Sequence, residues 1–206
     1  MQDAPVGSWS AESPLSGEIL ASLRDLNQRF LDLAAARPCD AAAAPWRGLP
    51  VRIAALSSAQ RAAAANCPYA LFDLKFHDEA HWQMRLQHAA AGQVADAPVV
   101  DCAVAEFVQL ALFYAWHVAS TGALAAQLIL GMNSRTAAAV GRATVGRMPA
   151  LAAAEAAGLR ARWSECDGFW DALVEAAARA DTKGLRRVQL FGLQLAAAAR
   201  LPRTSA

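Results

Sequence analysis

The sequence predicts an all-α fold, a multi-helix bundle with a helix-turn-helix-like element in its C-terminal half. Two observations predict it. Alanine dominates, in runs such as Ala41–Ala44, Ala62–Ala65, Ala152–Ala154 and Ala196–Ala199, and β-branched residues are sparse; alanine has the highest helix propensity of any residue. Apolar residues also recur at three- and four-residue steps between Gly- and Pro-containing breaks, the period of a helix with one buried face. At 206 residues the chain is long enough for one or two small domains with a proper core.

The first helix is expected from Ser16 to about Ala36. Ile19, Leu23, Leu26, Phe30 and Leu33 form its stripe, Ser16 is its N-cap and Glu18 sits in its first turn. Pro38 stops it, and Pro38, Pro45, Gly48 and Pro50 mark a loop. A short helix is expected over Ser58–Ala65, ended by Asn66-Cys67-Pro68. The alternation after Tyr69 suggests a brief strand, and Asp78–Gln87 a helix with Trp82 and Leu86 on one side.

The polar, Pro-containing stretch Gly92–Val100 is the best internal boundary. It divides a lead-in expected to be disordered (1–15) and an N-terminal helical region (16–95) from a C-terminal helical domain (96–206). In the latter, helices are expected over Cys102–Ala119 and Gly122–Leu130. Gly131 ends the second of these, and Asn133 or Ser134 caps the next. Ser164-Glu165-Cys166-Asp167 reads as a capping box opening a helix that turns Phe169, Trp170, Leu173, Val174 and Ala177 inward. The last helix runs from Asp181-Thr182 to Arg200. Its stripe of Leu185, Val188, Gly192, Leu195 and Ala199 suits a partner helix or a second subunit.

Several function classes find no support in the sequence. Between Glu106 and Arg135 no residue is charged, and the stretch is long enough to span a bilayer. Gln109, His117, Ser120, Thr121 and Gln127 interrupt it, however, and Ser120-Thr121-Gly122 breaks it, so two buried core helices are expected rather than a membrane span. Cys39, Cys67, Cys102 and Cys166 are widely spaced, without a CxxC. They read as buried reduced thiols in a cytoplasmic protein. The N-terminal segment lacks the basic and apolar regions of a signal peptide.

His77 and His81 stand at i and i+4, a metal-compatible spacing, with Cys67 or His88 as possible further ligands. Asp78 nevertheless occupies the position where the zinc-protease motif needs glutamate, so an exposed helix start is expected and no metal. No nucleophile elbow or phosphate-binding glycine loop is present, so no enzyme and no cofactor are predicted. His117 reads as a core histidine, and Trp116, Trp163 and Trp170 as packing residues.

The charge is unevenly spread. Residues 1–130 hold 8 Lys/Arg against 12 Asp/Glu, residues 131–163 hold 5 against 1, and residues 181–206 again 5 against 1. Two C-terminal basic blocks stand out from a net charge of +1. Within 130–163, Ala137, Val140 and Gly141 suit the inner face of one short helix. Thr144 suits the cap of a second, with Met148, Leu151 and Ala152 inward and Pro149 in its first turn. Guanidinium groups suit phosphate oxygens and guanine edges. The expected DNA contacts are therefore Arg135, Arg142, Arg147, Arg160 and Arg162, with Lys183, Arg186 and Arg187 as a second patch.

From Leu130 to Trp163 the chain resembles, without gaps, the FlhD family of flagellar transcriptional regulators. The shared residues are Leu130-Gly131-Met132-Asn133, Ala137, Thr144 with Met148, Leu151 and Ala152, then Arg162 followed by aromatic Trp163. Downstream the order of elements agrees, through a short acidic helix to a last helix carrying Gly192 and leucines. Upstream, Leu112-Phe113-Tyr114 stands where the family has a leucine- and tyrosine-containing helix. The resemblance covers roughly residues 105–200 and has no counterpart for residues 1–95. It implies an all-helical, homodimeric transcription regulator acting with an FlhC-like partner. The alternative expectation is a helical adaptor that binds protein and no DNA.

Overall fold

The computed structural model describes residues 16–37, 49–91, 101–166 and 168–199. The chain is mostly helical, as the alanine content requires. Helix α1 (Gly17–Ala35) begins where the Ser16 hydroxyl accepts the Ile19 amide at 3.3 Å. It buries Leu23, Leu26, Asn27, Phe30, Leu31 and Ala34, leaving Ile19 and Leu33 at the margin of the stripe.

Helix α2 (Leu49–Ala54) lies where the sequence suggested loop. Its Pro50 falls in the first turn, where a missing N–H breaks no helical bond, and Leu49, Pro50 and Ile53 are buried. Helix α3 (Ser58–Ala65) carries a capping box: the Ser57 hydroxyl accepts the Gln60 amide, and the Gln60 side chain accepts the Ser57 amide at 2.7 Å. The all-helical expectation needs one small correction. Strand β1 (Phe72–Asp73) pairs antiparallel with β2 (Arg160–Ala161), Phe72 opposite Ala161 and Asp73 opposite Arg160.

Helix α4 (Glu79–Ala90) follows, its Trp82 indole stacked on Phe76 and donating to the Leu74 carbonyl at 3.2 Å. Helix α5 (Cys102–Thr121) packs against α1 and against three later helices: α6 (Ala123–Leu130), α7 (Ser134–Gly141) and α8 (Met148–Glu155). By length and composition α5 suffices to cross a bilayer, and half of that apolar window is buried inside the fold. The break before α6 falls at Gly122, as expected. Helices α9 (Phe169–Ala178) and α10 (Thr182–Ala198) pack on each other.

The core gathers side chains from both sides of residue 96. Phe30 of α1 contacts the rings of Phe72 in β1, Phe107 in α5 and Trp170 in α9, at centroid distances of 6.0, 5.9 and 6.4 Å. The stretch 92–100, where the domain boundary is expected, lies outside the described residues, as do the lead-in 1–15 and Arg200.

Three local expectations are corrected. The capping box expected at Ser164–Asp167 does not form among its described residues. Ser164, Glu165 and Cys166 lie in turns, and α9 opens at Phe169 after Gly168, whose φ of +91° only glycine adopts readily. The Trp170 indole donates to the Arg162 carbonyl at 2.8 Å, and that anchor sets where the helix starts. His117 is exposed, because α5 turns it onto the outer side between buried Ala115 and Val118. Of the thiols, Cys67 is buried and pushed up to about 12 by loss of hydration, whereas Cys102 is exposed and Cys166 half-buried; Cys39 lies outside the described residues. The α10 stripe follows the first of the two expected alternatives: Leu185, Val188 and Gly192 face this chain's own core, with α9 as the partner helix.

Three helices begin on an aspartate N-cap. Asp78, Asp101 and Asp181 accept main-chain amides of His81, Ala103 and Lys183 at 3.0, 2.8 and 3.0 Å. Amides from His81, Ala103 and Gly184, respectively, are the first cause holding these carboxyls below the usual range. A depressed folded pKa adds stability that is present above the unfolded value, about 3.9 for aspartate, and is lost as pH falls through the folded value. The urea midpoint is therefore expected to fall below about pH 4. Replacing all three with asparagine, which caps without titrating, should flatten that fall; an unchanged acid limb would show that other groups govern it.

Candidate nucleic-acid interface

The segment from Leu130 to Trp163 is shaped by two turns. The first follows α6. Gly131 adopts φ +73°, closing the helix with its amide on the Gln127 carbonyl at 3.1 Å. Asn133 then caps α7 by accepting the Thr136 amide at 2.7 Å, while its own amide donates to the His77 carbonyl at 3.0 Å. This fixes α7 against the loop preceding α4.

The second turn joins α7 to α8. It runs through Arg142, Ala143 and Thr144 into a 3-10 turn over Val145–Arg147. Thr144 makes no side-chain cap, and α8 itself opens at Met148 with Pro149 in its first turn. Gly141 lies against α5 so closely that an added Cβ would meet the Ala119 carbonyl oxygen at 2.7 Å. The Trp116 indole donates to the Ala143 carbonyl at 2.8 Å. Ala137, Val140, Met148, Leu151 and Ala152 are buried, as the spacing predicted.

A buried carboxylate ties α8 to α4. Glu155 is 2 % exposed, with Oε2 2.8 Å from His81 Nε2 and Oε1 2.7 Å from Arg85 Nε, the latter an ion pair off the hydrogen-bond direction. A carboxylate this far from water needs such partners. His81 is thus engaged by Glu155, while His77 and His88 are exposed. Among the described residues no group of three His, Cys, Asp or Glu side chains stands together as a metal cage.

The five arginines of this block separate into two sets. Arg135 on α7 is largely exposed, with one rim contact of 3.1 Å to Glu79. Arg142 is exposed and Arg147 half-exposed, and among the described residues neither is ion-paired. These three lie along α7 and the turn after it. Arg160 and Arg162 go elsewhere. Arg160 pairs with Asp73 across the ribbon, its Nε donating at 2.8 Å.

Arg162 is buried, 7 % exposed, with its guanidinium on the Ile129 carbonyl at 2.7 Å and over the Trp163 ring at 4.5 Å. It neutralises the C-terminal end of α6, where helix carbonyls lack intrahelical donors and the dipole is negative. Burial draws its pKa down to about 10, against the opposing influence of Asp73 and Tyr69. A Cβ at Gly131 would stand 2.6 Å from its Nη2, so the glycine of this turn serves the arginine as well as the backbone. Arg162 therefore has no surface to offer a phosphate, and Arg160 is engaged by Asp73.

The second predicted patch is on the surface. Lys183, Arg186 and Arg187 are exposed on α10, and among the described residues none of them is ion-paired. That helix packs on α9, with links to Asn66 and Tyr69 ahead of β1. Helices α7 and α8 instead pack on α4 and α5, so the two basic blocks rest on different supports.

Sequence reasoning missed the buried polar residues, of which Glu155 ties α8 to α4, while Asn27 and Asp73 brace the segment around β1 and β2. Asn27 and Glu155 gave their only signal as polar residues at inward helix positions, and Asp73 as an acid in a two-residue strand. Compared with known proteins, the chain matches no family model, no curated protein and no solved structure.

Proposed function

We propose that this chain is a non-catalytic transcription regulator of the FlhD-like type that grips the phosphate backbone of DNA through Arg135, Arg142 and Arg147. The observation that carries the reading is the placement of these three arginines along α7 and the following turn, Arg135 and Arg142 exposed and Arg147 half-exposed, the last two unpaired among the described residues. Arginine suits phosphate by charge and by its fork of donors. The α7–turn–α8 arrangement then serves as the helix-turn-helix-like element.

Its second helix is poorly furnished for reading bases. Outward on α8 stand Pro149, Ala150 and Ala153, and its one polar side chain, Glu155, is buried. Base edges are discriminated by hydrogen bonds from side chains, and these residues have none to give. The chain therefore supplies affinity and register, and sequence preference comes from a second protein in the complex.

The test is retention of duplex DNA by the full chain as salt rises. Three phosphate contacts give a log–log salt slope of about −2.7, equivalent to about 40-fold weaker binding between 50 and 200 mM salt. Reversing Arg135, Arg142 and Arg147 to glutamate should abolish retention, and Arg142→Ala alone should reduce the slope by about 0.9. Unrelated duplexes should be held about equally well. Retention that survives the triple reversal, or no retention in low salt, overturns the reading and leaves the helical adaptor, which the exposed leucines of α10 favour.

A further inference from the structure

Helix α10 has two seams of three- and four-residue spacing, and among the described residues the fold uses only one. The inner seam of Leu185, Val188, Gly192 and Ala196 is buried. The outer seam runs Lys183, Arg186 and Arg187, Leu190, Leu193 and Gln194, then Ala197, all of them exposed. Leu190 is 61 % exposed and Leu193 41 %. On a helical wheel these positions fall within one stripe about 120° wide, the width of a helix-packing face.

The charge on that seam has an unusual sense. From Thr182 to Ala198 the helix contains no Asp or Glu, and its cations stand in its first half. That is the positive end of the helix dipole, where a cation is unfavourable for the helix itself. Asp181, the capping residue, is the acid at that end. The result is a strongly positive entry followed directly by an apolar ridge.

We propose that the outer face of α10 docks an acidic amphipathic helix of a partner protein, glutamates or aspartates against Lys183, Arg186 and Arg187 and leucine-like side chains against Leu190 and Leu193. Charge complementarity selects this occupant. Duplex DNA answers the cations but leaves the leucines against a polar backbone. A second copy answers the leucines but sets two segments that each hold 5 Lys/Arg against 1 Asp/Glu over residues 181–206 against each other. An acidic apolar helix answers both halves of the seam, the mode in which an amphipathic helix lies along a complementary face. The partner that brings sequence preference to the complex is a candidate bearer of such a helix, yet the docking does not depend on DNA contact.

The experiment uses the full chain and a labelled synthetic helix with glutamates in its first half and leucines at three- and four-residue steps along its apolar side. Anisotropy should report binding that weakens about tenfold or more in the Leu190→Ser/Leu193→Ser variant. The Lys183→Glu/Arg186→Glu/Arg187→Glu variant should lose at least as much, with its residual binding strengthened, not weakened, as salt screens the like-charge repulsion. A peptide with lysine in place of glutamate should fail on the wild type and bind the charge-reversed variant, a rescue that a misfolded protein would not give.

The proposal is overturned by no binding of the acidic peptide, or by equal binding to the leucine variant. It is also overturned if wild-type self-association, or flotation with phosphatidylglycerol vesicles, is what these substitutions abolish. Duplex retention measured on the same variants should be unchanged, since Arg135, Arg142 and Arg147 remain in place. Loss of peptide docking and loss of DNA contact are thereby told apart.

Discussion

Replacing Asn27 with alanine is expected to lower the stability of the chain by about 3 to 5 kcal/mol. Asn27 is fully buried on the inner face of α1, between Leu23 and Phe30. Its amide donates to the Ala65 carbonyl at 3.2 Å and to the Tyr69 carbonyl at 2.9 Å, and its carbonyl accepts the Leu71 amide at 2.9 Å. These groups lie between the end of α3 and the start of β1; the Ala65 carbonyl also accepts the Cys67 amide at 2.8 Å, so among the described residues the Tyr69 carbonyl and the Leu71 amide are the two that depend on Asn27. Each orphaned buried polar group costs about 1 to 3 kcal/mol.

Urea unfolding reports the loss as a lower midpoint at constant slope. Arg29→Ala, on the exposed side of the same helix, is the control and should stay within about 0.5 kcal/mol. An Asn27→Ala midpoint equal to the control's would mean that water, not Asn27, satisfies the segment.

Gly192→Ala is expected to cost about 3 kcal/mol, the upper part of the range for overpacking a dense core. A Cβ at Gly192 would stand 2.1 Å from the Tyr69 hydroxyl oxygen and 2.2 Å from the ring carbon that bears it. Tyr69 has little freedom to retreat. It is fully buried, packed edge-on against Trp163 at 5.0 Å, with its hydroxyl donating to the Val188 carbonyl at 3.2 Å. In α10 the substitution would otherwise help, since alanine is the better helix former.

The two effects therefore have opposite signs, and the clash decides. A double-mutant cycle with Tyr69→Leu measures it: shortening the side chain should recover part of the Gly192→Ala loss, a positive coupling that independent sites do not show. A neutral or stabilising Gly192→Ala would refute the close packing of α10 on Tyr69.

How far the sequence could be read depended on whether the determining contact was local. The starts of α1, α7 and α10 were legible because Ser16, Asn133 and Asp181 each satisfy an amide two or three residues away. The inward residues of α7 and α8 were legible for the same reason, since helical periodicity alone separates Ala137 and Leu151 from their neighbours. Helix α2 was hidden behind its own proline. The Ser164 capping pattern misled because a cap also requires the chain to enter the helix there, and the Trp170 anchor places that entry at Phe169 instead.

The arginines show the division most clearly. Composition and spacing determined a helical protein with two basic C-terminal blocks, and nothing in either distinguishes Arg142 from Arg162. The tertiary structure separates them. The end of α6 presents the Ile129 carbonyl, which also accepts the Ala70 amide at 2.9 Å, and a negative dipole beside Gly131, and the chain leaving β2 brings Arg162 to it. Among the described residues no such acceptor pairs with Arg142, whose side chain is exposed. The side chain's charge is a property of the residue, but whether that charge faces solvent or a buried carbonyl is set by elements some thirty residues away in sequence. Only packing brings those together.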